Sequence, residues 1–269
     1  MKVFKFGGAS VKDADGVRNI LSVLKHTGFN NTLIVVSAMG KTTNALEKVV
    51  HSYFENKEQF PKKIEAVRSN HHQIIAGLFS KGKELVTEKI DVFFDGALSF
   101  LFDNAVDNYS LVYDQVVSVG ELVSTTIISH YMIHEDIENT WLDARKCIKT
   151  DTYYRDANLD WEKTKTEIVK MVKGNSTMIS QGFIGREPNG MTTTLGREGS
   201  DYSAAIFAYA LEADSVTIWK DVPGILNGDP REFEDTVLLN KISYREAIEL
   251  AFYGASVIHP KTLQPLQRK

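Results

Sequence analysis

The segment that most constrains the fold of this chain is a strand–turn–helix unit at its N-terminus. Residues 3–10 read Val-Phe-Lys-Phe-Gly-Gly-Ala-Ser, so a short apolar strand carrying Lys5 turns at once through Gly7 and Gly8. A helix is predicted to follow from about Asp13. Paired glycines let a backbone approach a ligand closely and take a positive φ at little cost. The unit therefore favours an α/β protein in which backbone N–H groups and a lysine charge surround an anion.

A second interpretation of this unit stays open at the level of the motif itself. Lys-x-Gly-Gly alone is equally well explained as a tight connection between a strand and a helix. It is not a Walker A loop, because the lysine precedes the glycines and the usual spacing is missing. Other segments of the chain are needed to distinguish an anion site from a simple connection between a strand and a helix.

Strand-like and helix-like segments alternate along the chain, which predicts a mainly parallel sheet covered by helices on both faces. The predicted strands are residues 2–6, 32–37, 140–143, 177–181 and 215–220. Residues 58–104 have helical spacing and predict a helical hairpin, and residues 144–160 predict a surface excursion or lid. The predicted helices also include one that begins near Val123. Pro188-Asn189-Gly190 is typical of a hairpin turn.

Composition narrows the class of protein. The 269 residues are 43% hydrophobic and 25% charged, which suffices for a large buried core. A net charge of −4 argues against a nucleic-acid partner. Cys147 is the single cysteine, and its apolar neighbours predict a buried structural thiol in a reducing compartment. We expect no bilayer-spanning stretch and no signal peptide, hence a cytoplasmic protein without a membrane partner.

Two loops before predicted helices carry polar side chains suited to a ligand. Ser37 to Asn44 follows the second strand, and such loops bind ligands in open α/β sheets, although Thr42 is also explained as a helix cap. Glu121 precedes the helix predicted from Val123. Its carboxylate either stabilises the positive end of that helix or receives a substrate ammonium.

Two later segments carry further charge. Arg197 lies between Gly196 and Gly199, and arginine recognises a carboxylate or phosphate through a planar fork. Asp201 opens the next helix, where it can cap the helix, position Lys5, or do both. The run Lys220-Asp-Val-Pro-Gly, with Arg231 beyond it, suits a nucleotide but is also explained by plain turns.

Histidines do not predict a metal site. His130 and His134 are four residues apart, but Glu135 is misplaced for a His-Glu-x-x-His zinc motif, so ordinary helix residues are favoured. His71 and His72 have no partner ligands nearby in sequence and are expected to be solvated.

Taken in order, these segments resemble aspartokinase, a member of the amino-acid-kinase fold, over nearly the whole chain. The motifs that carry the resemblance are Lys5-Phe-Gly-Gly-Ala-Ser-Val, Ser-Val-Gly-Glu121, Gly-Arg197-Glu-Gly-Ser-Asp201, Lys220-Asp-Val-Pro-Gly and Gly254-Ala-Ser-Val-Ile-His-Pro260. The resemblance implies an α/β fold, a three-layer αβα sandwich around a mainly parallel open sheet of about eight strands. It also implies phosphorylation of L-aspartate by ATP with Mg²⁺, giving 4-phospho-L-aspartate, the first step towards lysine, threonine and methionine.

The resemblance also assigns roles residue by residue. The catalytic set is Lys5, Gly7, Gly8 and Asp201. The aspartate-binding set is Ser37, Thr42, Glu121, Arg197 and Ser200. The nucleotide-binding set is Lys5, Gly8, Ser10, Lys220, Asp221, Leu226, Arg231, Ser256 and Val257.

Four positions depart from the usual family pattern. Ala9 stands where threonine is common and Glu198 where glycine is common, while Leu226 replaces a tyrosine and Ser256 a lysine. The last two bear on nucleotide binding. Lys261 either supplies the missing charge or is a solvated helix lysine.

Aspartokinases usually continue into ACT domains that bind lysine or threonine. We expect residues 1–269 to be the catalytic domain without them, associating as a homodimer. Two rival functions remain: a related kinase acting on acetylglutamate, glutamate, carbamate or a nucleoside monophosphate, and a binding module without turnover. Arg197 and Glu121 together favour aspartate, because they match the two charged groups of an amino acid.

Overall fold

The computed structural model describes residues 1–103, 106–174, 176–255 and 257–267. Its strands are β1 (Lys2–Phe6), β2 (Thr32–Val36), β3 (Thr140–Leu142), β4 (Met178–Gln181), β5 (Ile184–Arg186), β6 (Thr192–Thr194) and β7 (Ser215–Trp219). Five of them form one sheet in the order β3-β4-β2-β1-β7, and every neighbouring pair in it is parallel. Strands β5 and β6 form a separate antiparallel hairpin.

Helices account for most of the remaining chain. They are α1 (Ala14–Thr27), α2 (Thr42–Glu55), α3 (Phe60–Leu78), α4 (Lys83–Asp103), α5 (Tyr109–Val117), α6 (Val119–His134), α7 (Ala144–Cys147), α8 (Trp161–Met171), α9 (Gly199–Ala210), α10 (Tyr244–Phe252) and α11 (Pro260–Gln267). A short 3₁₀ helix, Gly8–Val11, connects β1 to α1.

The period of two along the central strands divides the apolar core between two sheet faces. Phe4 and Ile34 face one core, which contains side chains of α1 to α6. Val3 and Leu33 face the other core, which contains side chains of α8 and α9. Helices therefore cover both faces, and the predicted three-layer αβα class is confirmed.

The strand count that the family resemblance implies was wrong. Within the described residues the main sheet has five strands rather than about eight, with two more in the hairpin. After β7, the segment 221–243 makes turns and a single bridge between Leu226 and Leu238. Its Pro and Gly residues interrupt regular pairing, because proline cannot donate to a ladder and glycine weakens a strand interior.

The helical hairpin, the 188–190 turn and the start of α1 after Asp13 are confirmed. The helix predicted from Val123 begins earlier: α6 starts at Val119, and Glu121 lies in its first turn. The stretch Tyr109–His134, which comprises α5 and α6, contains an 18-residue window with a mean hydropathy of 1.3 and is long and apolar enough to cross a membrane. The expectation that no such stretch exists was therefore wrong. Since 89% of that window is buried inside the protein, it serves as a core element of this fold.

The cysteine and histidine predictions had opposite outcomes. Cys147 is fully buried, and burial raises its thiol pKa to about 12, as expected of a structural cysteine. His71 is also fully buried, with Nδ1 2.8 Å from the Val67 carbonyl oxygen, so the prediction that it is solvated was wrong. Within the described ranges, no group of three or more His, Cys, Asp or Glu side chains could hold a metal ion.

Candidate active site

A cleft of about 510 Å³ lies beside the carboxyl ends of β1 and β2. This is the edge at which open parallel sheets bind ligands, because the loops that follow the strands converge there. Six residues assigned from the sequence line the cleft, namely Lys5, Gly8, Ser37, Glu121, Arg197 and Ser200. The fold therefore brings together segments that are up to 195 positions apart in the chain.

Two lysines share one buried carboxylate beside the cleft. Lys5 Nζ lies 2.5 Å from Oδ1 of Asp201, and Lys220 Nζ lies 3.2 Å from Oδ2. The parallel pairing of β1 with β7 places Lys5 and Lys220 on adjacent strand ends, and Asp201 approaches from the first turn of α9. Two positive charges thus face one negative charge. The surplus charge is suited to phosphate.

The glycine loop works differently from the sequence expectation. Gly7 has φ −77°, and Gly8 also lies outside the left-handed region, so the expected positive φ was wrong. A Cβ on Gly8 would instead lie 2.7 Å from the carbonyl oxygen of Ala38, and the Gly40 N–H donates to Gly8 O at 2.9 Å. Gly8 therefore permits close contact between the first two strand-to-helix loops. Ser10 lies in the 3₁₀ helix of this connection, where its N–H donates to the Gly7 carbonyl.

Glu121 is buried with half of its carboxyl group unsatisfied. Its Oε1 accepts from the Ala38 N–H at 3.3 Å, while Oε2 has no hydrogen-bond partner among the described residues. Burial raises the pKa of this carboxyl to about 8. An unpaired buried polar group is costly, and a cationic ligand group would satisfy it. Glu121 also lies in the first turn of α6, as the capping interpretation requires, and its assignment to a substrate ammonium stays a prediction.

The remaining aspartate-binding assignments have mixed placements. Arg197 is exposed at the cleft, in the loop before α9, and Ser200 lines the cleft from the first turn of that helix. Thr42 lies outside the lining: its hydroxyl is 3.4 Å from Nε2 of the buried His71. The next two residues, Thr43 and Asn44, line the cleft in its place.

Of the nucleotide-binding assignments, Lys220 joins the charge cluster, whereas five others lie outside the lining of the cleft. Those five are Ser10, Asp221, Leu226, Arg231 and Val257. Arg231 makes a forked pair with Asp229, with guanidinium-to-oxygen distances of 2.6 and 3.0 Å, and lowers the pKa of Asp229 to about 2. Ser256 lies outside the described residues.

Lys261 has a third role that neither sequence interpretation foresaw. Its Nζ donates to Asp156 Oδ1 at 2.5 Å and to the Leu195 carbonyl oxygen at 2.8 Å. The side chain thus connects the segment after α7 to the segment that carries Arg197.

Sequence analysis missed three cleft residues, Tyr113, Arg155 and Phe183. Arg155 and Phe183 have φ of 71° and 70°, and Glu198 in the same cleft has φ of 54°. Half of the six non-glycine residues with positive φ in the described ranges therefore line this cleft. Such conformations cost energy and concentrate at functional sites. Only the Glu198 position carried a sequence signal, the glycine common there in the family.

Comparison with known proteins places this chain among kinases. All of residues 1–269 match the model of the Amino acid kinase family. The lysine-sensitive aspartokinase 3 of Escherichia coli K12 is 35% identical over 270 residues, covering 99% of this chain and 59% of that protein. An aspartokinase of Chlamydia muridarum is 31% identical over 269 residues, covering 99% of this chain and 58% of its own length.

Solved structures give the same picture. E. coli aspartokinase III in complex with aspartate and ADP, in the R-state, superposes with a TM-score of 0.89 at 34% identity, covering 100% of this chain and 60% of that one. The same enzyme with lysine and aspartate, in the T-state, gives a TM-score of 0.90. The chain thus spans about three-fifths of the length of these E. coli relatives.

Proposed function

This chain belongs to the amino acid kinase family, and on that basis we propose that it phosphorylates L-aspartate. The reaction transfers the γ-phosphoryl group of ATP to the side-chain carboxylate, giving ADP and 4-phospho-L-aspartate. The E. coli relative that binds aspartate and ADP aligns with the whole chain, which supports these substrates.

One observation carries the choice of substrate. The cleft contains a buried carboxyl with an unpartnered oxygen, on Glu121, and an exposed guanidinium, on Arg197. An α-amino acid presents an ammonium and a carboxylate on one carbon, so these two groups can hold it at both charges. The side-chain carboxylate of aspartate is then free to meet the phosphoryl donor.

The chemistry needs no general base. A side-chain carboxylate has a pKa of about 4 and is already ionised at neutral pH. The difficulty is to bring this anion towards the phosphates of ATP. Lys5 and Lys220, held by Asp201, provide positive charge beside the cleft. Catalysis then rests on positioning and on charge stabilisation in the transition state.

Mg²⁺ belongs to this proposal as a partner of the nucleotide. Both oxygens of Asp201 face lysines, and the described residues contain no cluster of three metal-ligating side chains. Mg²⁺ commonly binds through substrate phosphates with few protein ligands, so the residues present suit a metal that arrives on ATP. When bound, it would supply charge neutralisation to the phosphates. The protein residues bind and orient around it.

We further propose that residues 1–269 form a catalytic domain that acts in the cytoplasm as a homodimer. Phe252 and Tyr253 at the end of α10 are 79% and 85% exposed, and adjacent exposed aromatic side chains of this kind are typical of contact surfaces. Sedimentation of the chain tests the dimer, and a monomer at micromolar concentration would contradict it. Fractionation of cells that express the protein tests the cytoplasmic location. Recovery of the protein in the membrane fraction would contradict it.

A substrate panel tests the proposed function. ADP release would be measured with L-aspartate, L-glutamate, N-acetyl-L-glutamate and carbamate as acceptors, and with no acceptor as the blank. We expect L-aspartate alone to raise ADP release well above the blank. Faster ADP release with another acceptor would assign the chain to a different substrate. If no acceptor raised ADP release above the blank, the chain would be a binding protein without turnover.

A further inference from the structure

Arg155 lines the cleft but belongs neither to the residues assigned to aspartate nor to the lysine cluster around Asp201. Arg155 lies in the irregular segment between α7 and α8, with its backbone at φ 71°. Arginine in this left-handed region is uncommon and costs free energy relative to the usual conformations. Strain of this kind persists only where surrounding contacts impose it, and it concentrates at binding and catalytic sites.

The contacts that impose this conformation come from a buried carboxylate. Asp114 is completely buried in α5, and its two oxygens accept from the Arg155 backbone N–H at 3.2 and 3.0 Å. The same carboxylate accepts from the N–H and hydroxyl of Thr194 at 2.9 and 2.7 Å. Asp114 therefore connects the backbone of Arg155 to both α5 and β6. These contacts determine the position of the Arg155 Cα.

The guanidinium itself is held by aromatic faces and keeps its hydrogen-bond donors available. It lies 4.5 Å from the centre of the Tyr113 ring and 5.5 Å from that of Tyr109. Its contact with Glu47 is 3.8 Å, beyond hydrogen-bond distance, and in the described residues no acceptor hydrogen-bonds the guanidinium. Stacking on rings orients an arginine while leaving its planar fork open to a carboxylate.

The segment that carries Arg155 is joined directly to the loop that carries Arg197. The Ala157 N–H donates to the Thr194 carbonyl oxygen at 2.9 Å, and Lys261 connects Asp156 to Leu195. A Cβ on Gly196 would lie 2.3 Å from Asp156 Oδ1, so the two loops are in contact. The two arginines of the cleft are thus carried by one cross-linked pair of loops.

Arg155 and Glu121 line the same cleft. The Arg155 guanidinium lies 4.5 Å from the centre of the Tyr113 ring, and Tyr113 lines the same cleft. Lys5 and Lys220, by contrast, gather around Asp201 at the ends of β1 and β7. The guanidinium of Arg155 therefore lies in the cleft that Glu121 and Arg197 also line, apart from the lysines that are paired with Asp201.

We propose that Arg155 is a second carboxylate-binding residue of the cleft, which holds the α-carboxylate of the amino-acid substrate together with Arg197. This role rests on the proposed function, since it concerns the same site and substrate class. Asp114 and Tyr113 are positioning residues for it.

Calorimetric titration of the whole chain with L-aspartate, without nucleotide, tests this role. Arg155→Gly removes the guanidinium and suits the left-handed backbone, so we expect unchanged or higher thermal stability with about tenfold or more weaker aspartate binding. Arg155→Lys keeps the positive charge but loses the planar guanidinium, so its affinity for aspartate should lie between those of wild type and Arg155→Gly. Glu212→Gly is the matched control, because Glu212 has φ 50° and lies outside the cleft.

A second ligand separates a carboxylate contact from a general change in the loop. The α-amide of L-aspartate keeps the ammonium and the side-chain carboxylate but lacks the charge that Arg155 would bind. We expect Arg155→Gly to weaken binding of the α-amide far less than binding of aspartate. Equal aspartate affinity in wild type and Arg155→Gly, or equal losses for both ligands, would overturn the role of Arg155 alone. A wild-type chain that binds no aspartate would overturn the proposed function as well.

Discussion

The ammonium of Lys5 lies 2.5 Å from Oδ1 of Asp201, and both side chains are buried. Strand β1 supplies the lysine and the first turn of α9 supplies the carboxylate, so the pair joins the sheet to a helix at the edge of the cleft. The other oxygen of Asp201 faces Lys220. One carboxylate thereby holds two cations where a polyanion would bind.

Lys5→Met should abolish phosphoryl transfer while leaving Asp201 paired with Lys220. A charge that acts mainly in the transition state contributes to turnover rather than to substrate affinity, so kcat should fall by about a thousandfold or more with a small change in the KM for aspartate. Steady-state kinetics measures both. Lys2→Met is the matched control on the same strand, where the side chain is exposed. Near-normal turnover of Lys5→Met would remove Lys5 from the catalytic set.

Glu121→Gln should change how stability depends on pH. Burial raises the folded-state pKa of Glu121 from 4.5 to about 8, so its favourable contribution is complete below pH 4.5 and is lost as pH rises through 8. The glutamine variant lacks this loss. The stability of Glu121→Gln relative to wild type should therefore rise between these pH values, by on the order of 5 kcal/mol at most. Urea unfolding at several pH values measures the difference, and a constant difference would contradict the assignment.

Aspartate binding should release protons near neutral pH. With its pKa at about 8, Glu121 is mostly protonated at pH 7 in the free protein. A bound ammonium stabilises the ionised carboxylate and lowers that pKa, so up to about one proton should leave for each aspartate bound. Titration calorimetry in buffers of different ionisation enthalpy counts these protons. Proton release by wild type but not by Glu121→Gln is the expected pattern, and equal release by both would assign the proton to another group.

Gly8→Ala should impair the site through packing alone. The added methyl would lie 2.7 Å from the carbonyl oxygen of Ala38, which forces apart the first two loops. We expect lower activity and a loss of about 1–3 kcal/mol, as for other overpacked sites. Gly96→Ala is the comparison, because a methyl there meets no atom within 4 Å and α4 should gain roughly 0.5–1 kcal/mol. Thermal unfolding and activity of the pair measure this, and a fully active Gly8→Ala would contradict the close approach of the loops.

The parts of this protein that are local in sequence were predictable. The central strands, the helical hairpin and the 188–190 turn follow from apolar runs, helical spacing and turn residues. The Lys5 segment was found because it follows a predicted parallel strand, and loops after such strands meet at one edge of the sheet. The Glu121 and Arg197 segments were found from their charged side chains and from the family motifs that contain them.

What could not be predicted depends on contacts between distant segments. Arg155 entered the cleft through hydrogen bonds to Asp114, which lies 41 residues away, and no periodicity encodes such a contact. Gly8 lines the cleft, but the conformation predicted for it was wrong, since its need for a hydrogen in place of Cβ arises from Ala38 on the next loop. The hydroxyl of Thr42 contacts the buried His71, and Thr43 lines the cleft instead. Which of the two threonines lines the cleft depends on how α3 packs, and this packing cannot be read from the sequence.

Trapping the product shows whether the chain phosphorylates the side chain of aspartate. The chain would be incubated with ATP, Mg²⁺, L-aspartate and hydroxylamine, since an acyl phosphate reacts with hydroxylamine to give a stable hydroxamate. We predict the hydroxamate of the aspartate side chain, identified by mass spectrometry, in an amount equal to the ADP formed and absent with Lys5→Met. ADP formed without this hydroxamate, or no turnover in the wild-type chain, would contradict aspartate phosphorylation.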